Sequence, residues 1–155
     1  MSETPQPADA GPDVHINPAL IAAGVMLIGM LLDHLQPLPL PAAAPLKAIG
    51  IALASIAIWA FVQYQRADTG IRPDEPASVL ITGGPYRYSR NPQYLVLALL
   101  QVTVACWLDK LWILLLVPVT LFVIDRYAVV REEHYLEQRF GQQYRDYRRR
   151  VRRWL

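Results

Sequence analysis

Two polar clusters in an otherwise apolar chain carry residue types suited to chemistry. One is Gly84-Pro85-Tyr86-Arg87-Tyr88-Ser89-Arg90-Asn91-Pro92-Gln93-Tyr94, and the other starts at Arg131-Glu132-Glu133. Arg90 offers a planar fork that suits a carboxylate. Asn91-Pro92 has the composition of a helix start, where free backbone amides favour an anion. Glu132 and Glu133 can recognise a cationic or hydroxyl-rich ligand, or one of them can serve as a general base. Plainer roles exist for the same residues: Arg87 and Arg90 as anchors beside lipid phosphates, the glutamates in salt bridges to Arg131, Arg126 or Arg87. His134 can titrate near neutrality, but a single histidine beside a site is more often a bystander. Gly83-Gly84 allows unusual backbone angles, yet no strand–turn–helix unit surrounds it as a dinucleotide fingerprint requires.

The elements that hold these clusters follow from composition. Of 155 residues, 54% are hydrophobic and 18% charged, and the apolar residues fall in blocks, as in a membrane protein. Charge-free runs cover residues 16–32, 48–65, 91–108 and 111–124, and the last reaches residue 130 if Asp125-Arg126 is buried or sits at the interface. The pattern predicts an all-α integral membrane fold with four transmembrane helices at residues 16–35, 44–65, 92–108 and 111–130. A loop at 66–92 and an amphipathic interfacial helix at 131–153 complete one domain, residues 16–155, behind a disordered, acidic and proline-rich tail at 1–15. That tail has no Lys or Arg, which argues against a signal peptide. Cys106 is the sole cysteine and reads as a small packing residue. No metal site is expected.

Charge sorting sets the expected topology. Arg66, Arg72, Arg87 and Arg90 lie between the second and third spans, and eight arginines follow the fourth: Arg131, Arg139, Arg145, Arg148, Arg149, Arg150, Arg152 and Arg153. Lys47 and Lys110 fall on the other side. The positive-inside rule then places both termini and the 66–92 loop in the cytoplasm. Leu108-Asp109-Lys110 makes a tight turn, so the third and fourth helices form a hairpin that returns Glu132 and Glu133 toward Arg90 and Asn91. Pro118 should kink the fourth helix, and Asp33-His34 reads as interfacial capping. A short extended stretch is expected at 79–82. Leu136, Phe140, Tyr144, Tyr147 and Val151 form an apolar-aromatic stripe, with Gly141 as a bend and Trp154 as an interfacial anchor. The arginine-rich carboxyl terminus suits an anionic lipid surface better than nucleic acid.

The segment 84–94, followed across a helical hairpin by Arg-Glu-Glu-His-Tyr-Leu-Glu-Gln-Arg-Phe-Gly-Gln-Gln-Tyr-Arg-Asp-Tyr at 131–147, resembles the isoprenylcysteine carboxyl methyltransferase and phospholipid methyltransferase family. The resemblance spans roughly residues 66–153. It implies a membrane-embedded methyltransferase that uses S-adenosylmethionine in a pocket unlike the soluble Rossmann type. Carried over, the family's Arg-His-Pro and Glu-Glu segments become Arg90, Asn91, Pro92 and Tyr94 with Glu132 and Glu133. Tyr86, Arg87 and Tyr88 join them as expected cofactor-binding residues, and Arg90 and Glu133 are the expected catalytic pair. Asn91 stands where the eukaryotic prenylcysteine enzymes have His. Bacterial members often carry Asn there, so this bears on the substrate more than on the cofactor. The expected acceptor is a lipid or lipophilic small molecule offering a carboxylate, amine or thiol at a bacterial inner membrane. Two other readings are an NADPH-dependent membrane reductase of sterol-reductase-like architecture and a non-catalytic membrane interaction protein.

Overall fold

The computed structural model describes residues 14–40, 44–66 and 79–155, and among them the only regular elements are helices. Residues 1–13 and 67–78, and with them most of the expected tail and the front of the loop, lie outside the described residues. Helix α1 covers Pro18–Leu35, α2 Ala44–Arg66, α3 Pro92–Leu108, α4 Leu111–Leu115, α5 Val117–Ile124, α6 Val130–Phe140 and α7 Gln142–Arg150. A 3₁₀ turn occupies Gly84–Arg87, and a π turn at Asp125–Val129 joins α5 to α6. The stretch at 79–82 forms no strand.

Local chemistry explains the helix ends. Asn17 caps α1, its side chain accepting from the Ala19 amide at 2.9 Å with Pro18 at the first helical position. Asn91 occupies the corresponding place before α3 but makes no side-chain cap; its amide side chain is committed elsewhere. Asp109, left-handed at φ 57°, turns the chain between α3 and α4. That turn is pinned to the end of α1: Leu40 N–H donates to Asp109 O at 3.0 Å and Leu111 N–H to Leu38 O at 3.0 Å. Lys110 pairs with Asp33, and Lys47 with Asp109 at 3.1 Å. The Pro118 kink falls at Leu116, a single turn residue (φ −86°, ψ −5°) between α4 and α5 across which the helix continues. Carbonyls at a helix end need partners from outside; there Gln101, buried on α3, donates to Ile113 O at 3.2 Å and accepts from Thr120 at 2.8 Å.

Small residues bring the helices close. A Cβ on Gly29 would sit 3.1 Å from the Ile113 backbone, so α1 and α4 touch main chain to side chain. Gly50 similarly faces Cys106, which is buried as a packing residue. Outward, Leu20, Leu27, Leu31 and Leu35 of α1 and Ile51, Ile58 and Trp59 of α2 are all more than half exposed, apolar helix surface of the kind lipid covers. Pro18–Leu35 and the continuous helical stretch Leu111–Phe140 are each long and apolar enough to cross a membrane. The latter has 30 residues, about 45 Å, which exceeds a ~30 Å hydrocarbon core. Its carboxyl-terminal third, with Glu132 and Glu133, therefore extends past the apolar region.

The expected interfacial helix at 131–153 is corrected in three respects. It continues the long helical stretch that starts at Leu111 and is broken at Gly141 (φ 51°, ψ −118°) into α6 and α7. Residues 151–155 leave the helix altogether. The apolar stripe also has a protein cover: Tyr144 and Tyr147 pack with Leu80, flanked by Tyr86, Leu136, Phe140 and Val151. Trp154 packs against the cluster of Tyr94, Ile124, Ala128 and Val129, so it is part of the fold rather than a free lipid anchor.

Candidate functional site

The hairpin of α3 and α4–α6 brings the two polar clusters into direct contact. Arg90 donates from Nη2 and Nε to Glu133 Oε1 at 2.7 and 3.1 Å, and its Nη1 reaches the carbonyls of Val151 and Arg148 at 2.8 and 3.2 Å. Both side chains of this pair are only 9% exposed. Two buried charges persist in low dielectric only when paired and hydrogen-bonded; here each is paired with the other and further bonded, Arg90 to two carbonyls and Glu133 to Arg153. Next to it, the Tyr94 hydroxyl on α3 donates to Glu132 Oε1. Asn91, 3% exposed, uses its side chain to hold the Arg153 carbonyl at 3.0 Å.

Three further residues complete the cluster, none of them among the expected site residues, although Ser89 lies in the 84–94 segment. Ser89 donates to the Arg153 carbonyl at 3.1 Å and accepts from the Asn91 amide at 3.1 Å. Arg153 donates from Nη2 to Glu133 Oε2 at 2.6 Å and from Nη1 to Asp125 at 3.3 Å. Its bond to Glu133 raises the Arg153 guanidinium above its ordinary value, so it stays charged. Asp125 had drawn notice only as a charge inside a span, and Arg153 only as one of eight basic residues; no local signal separates it from Arg149 or Arg152.

The π turn explains how Asp125 and Glu133 come to share one guanidinium. Eight α-helical steps separate directions by about 80° at 3.6 residues per turn. Here Val130 N–H bonds back to Asp125 O, five residues earlier. That widened turn absorbs one residue, so the two acids behave as though seven apart, about two turns and within roughly 20° of one face.

Other expected site residues lie at the margin. Tyr86 is half-buried, with its hydroxyl on Gln93 Oε1 at 3.2 Å and its carbonyl accepting from Tyr147 at 2.8 Å. Burial lifts the Tyr147 hydroxyl to about 12. Arg87 and Tyr88 are exposed, Tyr88 to 75%, so they are not gathered into the cluster. Pro92 opens α3. His134 is exposed and meets only Gln138 among the described contacts, in keeping with a bystander. Among the described residues no group of His, Cys, Asp and Glu is arranged to hold a metal ion.

The cluster retains limited capacity for a ligand. An arginine has five N–H donors; among the described contacts Arg90 uses Nε, both on Nη1 and one on Nη2, leaving one on Nη2. A carboxylate has about four acceptor positions. Among the described contacts three donors crowd onto Glu133 Oε1, two from Arg90 and one from Arg153, whereas Oε2, with about two lone-pair positions of its own, takes one from Arg153. The Tyr144 hydroxyl is fully buried with no partner among the described residues, and burial first, then the Glu133 charge, raises it. One Arg90 donor and one Glu133 acceptor position therefore remain at this ion pair among the described contacts, and the Glu133 charge reaches the buried Tyr144 hydroxyl.

A Haemophilus influenzae protein described only as uncharacterised is 42% identical over 62 residues, covering 40% of this chain and 98% of that protein. No solved structure matches. The phospholipid methyltransferase family description matches residues 40–143, a stretch that contains Arg90, Asn91, Tyr94, Glu132 and Glu133. With that match over most of its length, the chain belongs to the phospholipid methyltransferase family, whose members are methyltransferases that generally use S-adenosylmethionine.

Proposed function

We propose that the protein transfers a methyl group from S-adenosylmethionine to a lipid or lipophilic acceptor at the cytoplasmic boundary of a bacterial inner membrane. One observation carries this reading: Arg90, Asn91, Tyr94, Glu132 and Glu133 meet in one cluster inside the region matched to the family. In this reading four helices span the bilayer, both termini are cytoplasmic, and the exposed arginines of α7 face anionic lipid. S-adenosylmethionine supplies an electrophilic methyl on a sulfonium, with a carboxylate, an ammonium and ribose hydroxyls as handles.

The chain's part is recognition and alignment. The remaining Arg90 N–H takes a carboxylate oxygen, and Glu133 Oε2 takes an ammonium or ribose hydroxyl. Tyr86 and Tyr94 flank these groups with faces able to hold a cation, whereas Arg87 and Tyr88 stand outside the cluster. In-line displacement is governed by alignment, so rigid fixing of these groups matters more than strong acid or base catalysis. A carboxylate acceptor needs no base, whereas an amine must shed a proton. Glu133 was the expected base, but two guanidiniums grip it. Glu132 has only a neutral hydroxyl partner among the described contacts and is the better proton acceptor.

Detergent-purified protein is expected to bind S-adenosylhomocysteine saturably. Hydrogen bonds to charged groups contribute about 1.5–3 kcal/mol, so Glu133→Gln and Glu132→Gln should each weaken binding by about tenfold or more. No binding by a folded preparation would sink the proposal, and preferential binding of NADPH in a parallel titration would favour the reductase reading. Lipid extracts compared with and without the gene should differ by species heavier by one CH₂.

A further inference from the structure

We propose that Arg153, near the carboxyl-terminal end of the chain, is a positioning residue that orients the Glu133 carboxylate through a contact shared with Asp125. This rests on the methyltransferase reading above and names a residue outside the matched region 40–143. The main chain is docked before the side chain acts. After α7 the backbone becomes extended at Val151 (φ −121°, ψ 133°) and runs back along the 89–91 segment. Arg90 N–H donates to Arg152 O at 3.0 Å, and Ser89 and Asn91 both donate to Arg153 O. Trp154 packs on the Tyr94 cluster one residue further on. With the backbone held on both sides, the Arg153 side chain loses little additional freedom when it binds.

Its guanidinium lies side-on to Glu133, Nη2 on Oε2 at 2.6 Å and Nε on Oε1 at 3.3 Å, while Nη1 faces both Asp125 oxygens at 3.3 and 3.4 Å. Arg90 touches only Oε1. Arg153 is thus the one partner of Oε2 among the described contacts, and Oε2 is the oxygen with an acceptor position left. The terminal torsion of a glutamate is broad and roughly two-fold. Removing Arg153 therefore leaves Oε1 anchored and Oε2 free to swing. Asp125 holds the other edge of the fork and fixes the angle from which it grips.

The alternative is that Arg153 matters only as a charge, or only for folding. A charge account predicts tighter binding of a ligand ammonium when the cation is removed, and no change when Lys replaces it. Positioning predicts weaker binding in both cases, because a lysine ammonium lacks the fork. The test is isothermal titration of S-adenosylhomocysteine into purified protein, well below each variant's Tm. Arg153→Gln and Arg153→Lys are expected to bind about tenfold more weakly than wild type. Asp125→Asn should bind several-fold more weakly and add nothing to Arg153→Gln. In a Glu133→Gln background, Arg153→Gln should have no further effect, the non-additivity of residues acting as a unit. Arg149→Gln, 75% exposed on α7, should match wild type. Unchanged affinity in both Arg153 variants, whatever their Tm, overturns the proposal, as does tighter binding by Arg153→Gln. If wild type binds no S-adenosylhomocysteine, the methyltransferase reading falls and this proposal with it. Loss of binding in Glu133→Gln alone leaves that reading standing and rejects the role of Arg153.

Discussion

Tyr144 has 1% of its surface exposed and a hydroxyl without a partner among the described residues. Such a group costs about 1–3 kcal/mol relative to a satisfied one. Tyr144→Phe is therefore expected to unfold at a Tm equal to or above wild type in detergent, by a shift worth about 1 kcal/mol. The same variant should show a smaller Tm increase on adding S-adenosylhomocysteine. A Tm clearly below wild type would show that the hydroxyl is satisfied in the folded protein. At this scale residue types were legible and partners were not. The spacing of Tyr144 and Tyr147 marked an apolar stripe correctly, but it could not tell that Leu80 and Tyr86 cover it. Arg90 was legible as a carboxylate fork; that its carboxylate is Glu133 of the same chain depends on a contact across 43 positions.

Helices and their breaks were the most legible elements, because their causes are local. Pro118, Gly141 and the Asp109 turn each interrupt the chain where backbone chemistry demands it. The π turn was not legible, since a hydrogen bond slipping by one residue leaves no mark in composition. Helix packing gives a paired test on α1. A methyl group added at Gly24 would meet nothing within 4 Å, whereas at Gly29 the Ile113 backbone would be 3.1 Å away. Gly24→Ala is expected to raise stability by up to about 1 kcal/mol through helix propensity. Gly29→Ala should lower it by about 1–3 kcal/mol through overpacking of α1 on α4. Thermal unfolding of both variants in one detergent checks the contrast; equal effects would mean that α1 and α4 are not in tight contact.

For the whole molecule, the sorting of arginines and lysines gives the proposed orientation. It is tested in a Cys106→Ala background, which removes the single, buried cysteine. Lys47→Cys is expected to react with a membrane-impermeant maleimide in intact cells, and Arg149→Cys only after the membrane is opened. The reverse pattern would invert the topology. The sequence by itself determined the helical class, the approximate helix boundaries, the hairpin and the residue types of the site. Those follow from hydropathy, turn chemistry and charge, which act over a few residues. Only the tertiary structure decided which charges face each other. It selected Arg153 from eight similar arginines, joined it to Asp125 and Glu133 through the π turn, and buried Arg90 against Glu133. The reason is physical: a buried ion pair holds only where several segments together remove water and supply the remaining hydrogen bonds, and no single segment contains that information.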